Sequence, residues 1–215
     1  MTEAPRVDGL LLDLLMAVMN SIDVWSAAAG DPRRGLAWRD AATARMSSGG
    51  AYVPYEELVA DAAGDVGLPR DAAAVLVERW SGMEPWPDAA ALAPLSLPYG
   101  FVTNCSTSLA RLAARRSRLR PRFVLAAEEA GQYKPHAAIY REGCRRLGTP
   151  EDRTLFVAGS PYDAVGARAA GLQAVLVRRR RDQQSSGSEI HAVGSLDDVV
   201  ATIGEPPYAG GAPRW

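Results

Sequence analysis

Two carboxylates, one ammonium and one hydroxyl–amide pair stand at the ends of apolar runs in this chain of 215 residues. Asp13 closes GLLLD, Thr103 and Asn104 close GFVTN, Lys134 lies in GQYKP, and Asp163 follows TLFVAGSPY. Such a set can supply a carboxylate nucleophile and its electrostatic support. A carboxylate attacks poorly from water and improves when it is desolvated and held rigidly. A nearby ammonium keeps it ionised, because an opposite charge lowers a carboxyl pKa. Cys105 follows Asn104, but no histidine is close to it in sequence, so a cysteine nucleophile is not expected. His136 and His191 show no partner pattern.

The elements that must carry these residues follow from the apolar pattern. A buried run of branched residues ending at a polar one predicts a parallel strand, and ligands of open α/β sheets bind at the carboxyl ends of strands. Residues 9–13 form the first predicted strand. From residue 19 to 91 the pattern turns helical and Ala-rich, with helices expected over 55–68 and 70–83 and a turn at Gly67 and Pro69. Trp25, Trp38, Trp80 and Trp86 fall in this stretch and are expected to pack helix on helix, with one or two lining an apolar pocket. After the Pro-rich stretch 85–98, strands alternate with helices: GFVTN, SLARLAARRSRL, FVLAA, PHAAIYREGCRRLG, TLFVAG, YDAVGARAAG and LQAVLVR. Pro135 and Gly148 are read as the start and end of the second of these helices, and Gly171 as the cap of the third. The alternation predicts an α/β fold with a doubly wound parallel sheet. The expected organisation is a core of residues 1–18 and 92–204, a smaller helical domain of residues 19–91, a loop at 182–189 and a disordered Pro/Gly-rich tail at 205–215.

Apolar residues make up 47% and charged residues 23%, ordinary for a globular chain, and a net charge of −1 gives no reason to expect nucleic acid or an anionic membrane as partner. Arg178–Arg181 is the one basic run and reads as a solvated strand end, or else as a local anion contact. Cys105 and Cys144 are too few for a disulfide framework and fit a reducing compartment. Residues 10–18 resemble a signal-peptide core, but Asp13 interrupts them, and Glu3 and Asp8 precede them where positive charge is expected. No other apolar stretch approaches transmembrane length, so a cytoplasmic location is expected.

With Asp13, Thr103–Asn104, Lys134–Pro135 and Asp163 in this order, the chain resembles the haloacid dehalogenase-like (HAD) superfamily, and within it the L-2-haloacid dehalogenase type (type II). The likeness covers residues 7–178 and is dense in EEAGQYKPHAAIYREGCRRLG and LFVAGSPYDAVGARAAGL; WRDAATARM, with Arg39, looks like the family's cap segment. The resemblance implies a Rossmann-like core with an inserted helical cap domain, and a metal-independent hydrolase with a small-molecule substrate and no cofactor. Asp13 matches the nucleophile, Lys134 the lysine that neutralises the carboxylates, and Asp163 the acid of the last motif, which positions Lys134 or helps activate water. Thr103 and Asn104 match the substrate-binding second motif, Arg39 the cap arginine facing the leaving halide, and Ser160 and Tyr162 stand at other polar and aromatic site positions. Read from the residues alone, Thr103 and Asn104 are equally helix-capping residues, Asp163 a helix N-cap and Arg39 a surface arginine. Relatives in the family often form homodimers, and no segment of this sequence identifies an interface.

The implied reaction is in-line displacement of halide by Asp13 from about 3–3.5 Å, then hydrolysis of the aspartyl ester. The first motif departs from the family pattern. Leu15, Met16 and Ala17 stand where the superfamily runs Asp or Tyr, Gly and Thr. Leu15 lacks the acid by which the phosphatases protonate the leaving oxygen, and Gly159 and Ser160 stand near where a magnesium-binding member carries a second acid. Both disfavour phosphate ester hydrolysis. Ala17 also removes a hydroxyl that the dehalogenases keep. Two alternatives therefore accompany dehalogenation: opening of a strained ring such as azetidine-2-carboxylate, and a catalytically silent domain that binds a metabolite or partner.

Overall fold

The computed structural model describes residues 6–180 and 190–204. Its centre is β1 (Gly9–Asp13), buried at every position, as expected of a strand covered on both faces. Around it lie β2 (Tyr99–Thr103), β3 (Val124–Ala126), β4 (Thr154–Ala158), β5 (Gln173–Val177) and β6 (His191–Val193). All pair in parallel, in the order β3-β2-β1-β4-β5-β6. The chain leaves β1 toward β2 and β3, then returns to β4 on the other side. The direction of winding thus reverses between β1 and β4, where open α/β sheets hold their ligands. Asp13 ends one of these two strands and Asp163 follows the other.

The helical insertion consists of α1 (Ser21–Ala29), α2 (Pro32–Ser47), α3 (Tyr55–Asp65) and α4 (Ala72–Arg79). Asp31 caps α2 by accepting from Arg34 N, with Pro32 at the first helical position. Trp25 and Trp38 meet edge to face at 4.8 Å, and the Trp38 indole donates to Val59 O at 2.8 Å, so two tryptophans pack helix on helix as expected. Trp80 also packs between helices, edge to face with Tyr55 of α3 at 5.9 Å, whereas Trp86 does otherwise. The Trp80 indole donates to Leu109 O in the core at 3.0 Å, and that of Trp86 to Met16 O at 2.9 Å.

Helices α5 (Thr107–Arg116), α6 (Ala127–Ala130), α7 (Ala137–Leu147), α8 (Pro161–Ala169) and α9 (Leu196–Gly204) complete the core. Helix α7 starts after Pro135, not at it: His136 is the cap, its ring accepting from Ala138 N at 3.3 Å. Asp163 is likewise not a cap, since Ser160 holds that position of α8. β6 and α9 were not anticipated; a three-residue strand offers too little pattern to detect. The reading of the basic run as solvated fails at Arg179, whose side chain is 6% exposed and ion-paired to Asp88 at 2.7 Å. The whole of the loop expected at 182–189 and of the tail expected at 205–215 lies outside the described residues. Among those described, no helix is long and apolar enough to cross a membrane.

Candidate active site

The site begins at the carboxyl end of β1. Asp13 is 5% exposed, and the chain leaves it through a π-helical turn, Leu14–Val18, closed by Met19 N donating to Leu14 O at 2.8 Å. The turn aims the Met16 amide back at the carboxylate, which accepts it on Oδ2 at 3.2 Å. The other oxygen, Oδ1, accepts from Lys134 Nζ at 2.8 Å. Both oxygens therefore face donors, an arrangement that can stabilise negative charge developing there.

Lys134 is 1% exposed and bridges the two carboxylates, with Nζ also 2.6 Å from Asp163 Oδ2 and 3.2 Å from Val102 O. Its backbone is held by the Asn104 side chain, which accepts from Lys134 N at 2.8 Å and donates to Lys134 O at 3.0 Å. Asp163 is fully buried, and its Oδ1 accepts from the Tyr140 hydroxyl at 2.5 Å. This packing depends on Gly166, where a Cβ would lie 2.5 Å from Pro135 Cβ and 2.8 Å from the Tyr140 hydroxyl. Burial pushes the Asp163 carboxyl up to about 6, with Lys134 opposing and Asp13 adding to the rise. Burial pulls the Lys134 ammonium down, but Asp13 and Asp163 outweigh it and hold the group above its ordinary value. The lysine stays charged because two anions share it.

Asp13 opens onto a cavity of about 40 Å³ walled by the turn after β1, by α1 and α2, and by Tyr55, Asn104 and Tyr162. Arg39, Ala42, Thr43 and Met46 line it from α2, their spacing placing them on one helix face. Arg39 donates to Ser160 Oγ at 3.1 Å, so this cap cation is tied to the core. Ser160 is buried behind the arginine, whereas half-buried Tyr162 is part of the wall. Burial, then Asp163, pushes the Tyr162 phenol well up, which keeps it a neutral donor. Thr103 does not line the cavity; its hydroxyl lies 3.8 Å from Cys105 Sγ. Burial pushes the Cys105 thiol up to about 12, which leaves it inert as a nucleophile.

The altered first motif is built into its surroundings. Leu15 and Met16 line the cavity. A Cβ at Gly159 would lie 2.4 Å from both Ala17 N and Met16 Cβ, so the turn occupies the room any side chain at 159 would need. The carbonyls that a π turn leaves unpaired are taken up individually. Met16 O accepts from the Trp86 indole, Val18 O from Trp86 N at 2.9 Å, and Ala17 O from Arg179 Nη2 at 2.6 Å. The Arg179 guanidinium lies 5.1 Å over the Trp86 ring. Among the described residues, no group of three His, Cys, Asp or Glu side chains is placed to hold a metal ion.

Sequence reasoning brought together Asp13, Lys134, Asp163, Arg39, Asn104 and Tyr162. Trp25, one of the tryptophans read as packing helix on helix or lining an apolar pocket, lines this cavity; Tyr140 and Tyr55 were not singled out, and Arg179 looked solvated. Residues 92–177 match a family model described as haloacid dehalogenase-like hydrolase. The chain is 28% identical over 142 residues to haloacetate dehalogenase H-2 of Moraxella sp. (strain B), covering 60% of this chain and 63% of that protein, just under two thirds of its length. It is 26% identical over 164 residues to (S)-2-haloacid dehalogenase 2 of Pseudomonas sp. (strain CBS-3), covering 70% and 72%. A crystal structure of a dehalogenase with an intermediate complex superposes with a TM-score of 0.78 at 18% identity, over 96% of this chain and all of that one, a likeness of fold.

Proposed function

Because this chain belongs to the haloacid dehalogenase-like superfamily, we propose that it is a hydrolase in which Asp13 displaces halide from C2 of a small 2-haloacid. The observation that carries this reading is a buried carboxylate at a strand end, held by Lys134 Nζ and Met16 N, facing a small cavity that also holds a guanidinium. Desolvation and fixed geometry are what a carboxylate needs to attack carbon. The names of the two relatives, acting on haloacetate and on (S)-2-haloacids, agree with so small a cavity.

In this reading one Asp13 oxygen bonds to C2 as the carbon–halogen bond breaks, and the halide leaves with the bonding pair toward Arg39. Water then attacks the Asp13 carbonyl carbon. Lys134 Nζ and Met16 N stabilise the charge gathering on the carboxyl oxygens. The ester's alkyl oxygen departs as the 2-hydroxy acid with one proton of the attacking water, the other proton passes to solvent, and Asp13 is regenerated as a carboxylate with one oxygen from water. Both Asp163 oxygens are already engaged, so it acts as a positioning residue that fixes Lys134. Leu15 lines the cavity at the position of the phosphatase acid and offers no proton to a leaving alkoxide. The free thiols Cys105 and Cys144 fit a cytoplasmic setting.

The test is halide release from chloro-, bromo- and fluoro-2-alkanoic acids in the presence of EDTA, with Asp13→Asn as control. Release by the wild type alone, with solvent ¹⁸O entering Asp13, is the expected result. Equal release by the variant, or product labelling without labelling of Asp13, defeats the reading.

A further inference from the structure

The cavity at Asp13 is not the only space beside α2. A second, open cavity of about 360 Å³ lies past the end of that helix, between the loop 47–53 of the insertion and the segment 132–136 of the core. Met46 is the one residue that lines both. It closes the cavity-lining face of α2 that begins at Arg39, two helical turns earlier. The Met46 side chain thus stands as a partition between the nucleophile's compartment and the larger one.

The outer space suits carbon more than charge. Tyr52 and Tyr133 stack on each other in its wall at 5.0 Å, and Leu58, Pro135 and Val53, the last 42% exposed, add apolar surface. Its charged members are already paired, Arg45 with Asp65 at 2.7 and 2.8 Å and Asp61 with Arg70. Within the inner compartment, the polar groups that α2 presents are already engaged, Arg39 with Ser160 and the Thr43 hydroxyl with Arg39 O at 2.9 Å.

We propose that Met46 is the specificity-determining residue that sets substrate chain length, and that the outer cavity takes the aliphatic or aromatic tail of a 2-substituted carboxylic acid once the Met46 side chain swings aside or is shortened. The proposal rests on Asp13 as nucleophile. A half-buried methionine, unbranched and with three rotatable bonds, is easily displaced or shortened. With it in place, the inner compartment takes acids of two or three carbons. Shortened, the two spaces join and each further methylene finds apolar cover, which raises binding about fourfold per group.

The experiment compares wild type, Met46→Ala and Met46→Phe in two assays. The first is halide release from bromoacetate through 2-bromooctanoate. The second is calorimetric binding of unreactive acids from acetate to octanoate, which reads the partition even if no carbon–halogen bond is cut. In Met46→Ala the preference for the six-carbon over the two-carbon acid is expected to rise at least tenfold, and in Met46→Phe to fall below wild type. Thermal unfolding of all three confirms that they fold. Length preferences that run parallel in the three proteins, or no gain with length in either assay, overturn the proposal. Lack of halide release together with a length-dependent gain in binding overturns the assigned reaction and leaves the partition standing.

Discussion

Replacing Tyr140 with phenylalanine removes one hydroxyl from behind the site and leaves its shape unchanged, including the edge-to-face contact of this ring with Phe156 at 5.1 Å. The hydroxyl donates to Asp163 Oδ1, so it favours the ionised carboxyl. A hydrogen bond to a charged group is worth about 1.5–3 kcal/mol. At about 1.4 kcal/mol per pH unit, its loss lifts Asp163 from about 6 by about 1 to 2 pH units. If an ionised Asp163 is what holds Lys134 in place, the acid limb of kcat/KM for halide release sits near pH 6 in the wild type and moves to about 7–8 in Tyr140→Phe. Activity at pH 9 should then return to within about threefold of wild type, a small residual barrier. Stability supplies a second readout. A carboxyl whose pKa is raised on folding takes up a proton in the native state first, so its contribution to stability falls as pH rises from its ordinary value of 3.8 to about 6. In the variant this fall continues to the higher pKa, making the variant less stable than wild type at pH 9 and nearly equal to it at pH 4. An unmoved acid limb, with the same stability loss at both pH values, refutes the reasoning, because the hydroxyl would then not sense the charge on Asp163.

Two further substitutions probe the turn that follows Asp13. Gly159→Ala places a Cβ 2.4 Å from backbone and side-chain atoms of the turn. Overpacking of this kind costs about 1–3 kcal/mol, and kcat should fall by about 10²-fold through displacement of Asp13 by an ångström, as denaturant unfolding and steady-state kinetics will show; kinetics unchanged at any stability argue against a tight turn. Arg179→Met removes the donor to Ala17 O and leaves Asp88 without its ion pair. Breaking a largely buried pair costs about 3 kcal/mol, and kcat should fall more than KM rises; a pure KM effect contradicts a positioning role.

What the sequence disclosed and what it withheld divide along a physical line. Asp13 and Asp163 were visible because each ends or follows a continuous apolar run, and parallel topology carries such ends to one edge; Lys134, a loop lysine on its own, was visible only through the series they form with it. Arg39 was visible only through resemblance, since on its helix it is one of several arginines. Tyr140 was not visible, because a buried tyrosine at core spacing in α7 looks like packing until its hydroxyl is seen on Asp163. Arg179 was misread for a related reason. A run of arginines at a strand end suggests solvent, and nothing local shows that Asp88, ninety-one residues away, will bury one of them. Asn104 was expected at the substrate; it reaches the cavity, but two of its hydrogen bonds are given to the Lys134 backbone.

The altered first motif can be weighed in the same terms. Met16 and Ala17 replace a glycine and a hydroxyl, and each loss has a structural answer. Conformational freedom at residue 16 is not needed in a π turn closed by Met19 N on Leu14 O, and that turn itself supplies the Met16 amide to Asp13. The hydroxyl absent at residue 17 is not replaced by another hydroxyl. Instead, the backbone of that residue is pinned from outside, by Arg179 on its carbonyl and by Gly159 against its nitrogen. Leu15 and Met16 meanwhile make the wall beside Asp13 apolar, which strips water from the carboxylate. Phosphoryl transfer would lose its proton donor in such a setting. Attack on carbon loses nothing comparable, because a departing halide needs a positive partner rather than a proton, and the cavity at Asp13 already holds the Arg39 guanidinium. The changes that weaken the family signature are thus compatible with the one branch of its chemistry in which a bare, desolvated carboxylate does the work.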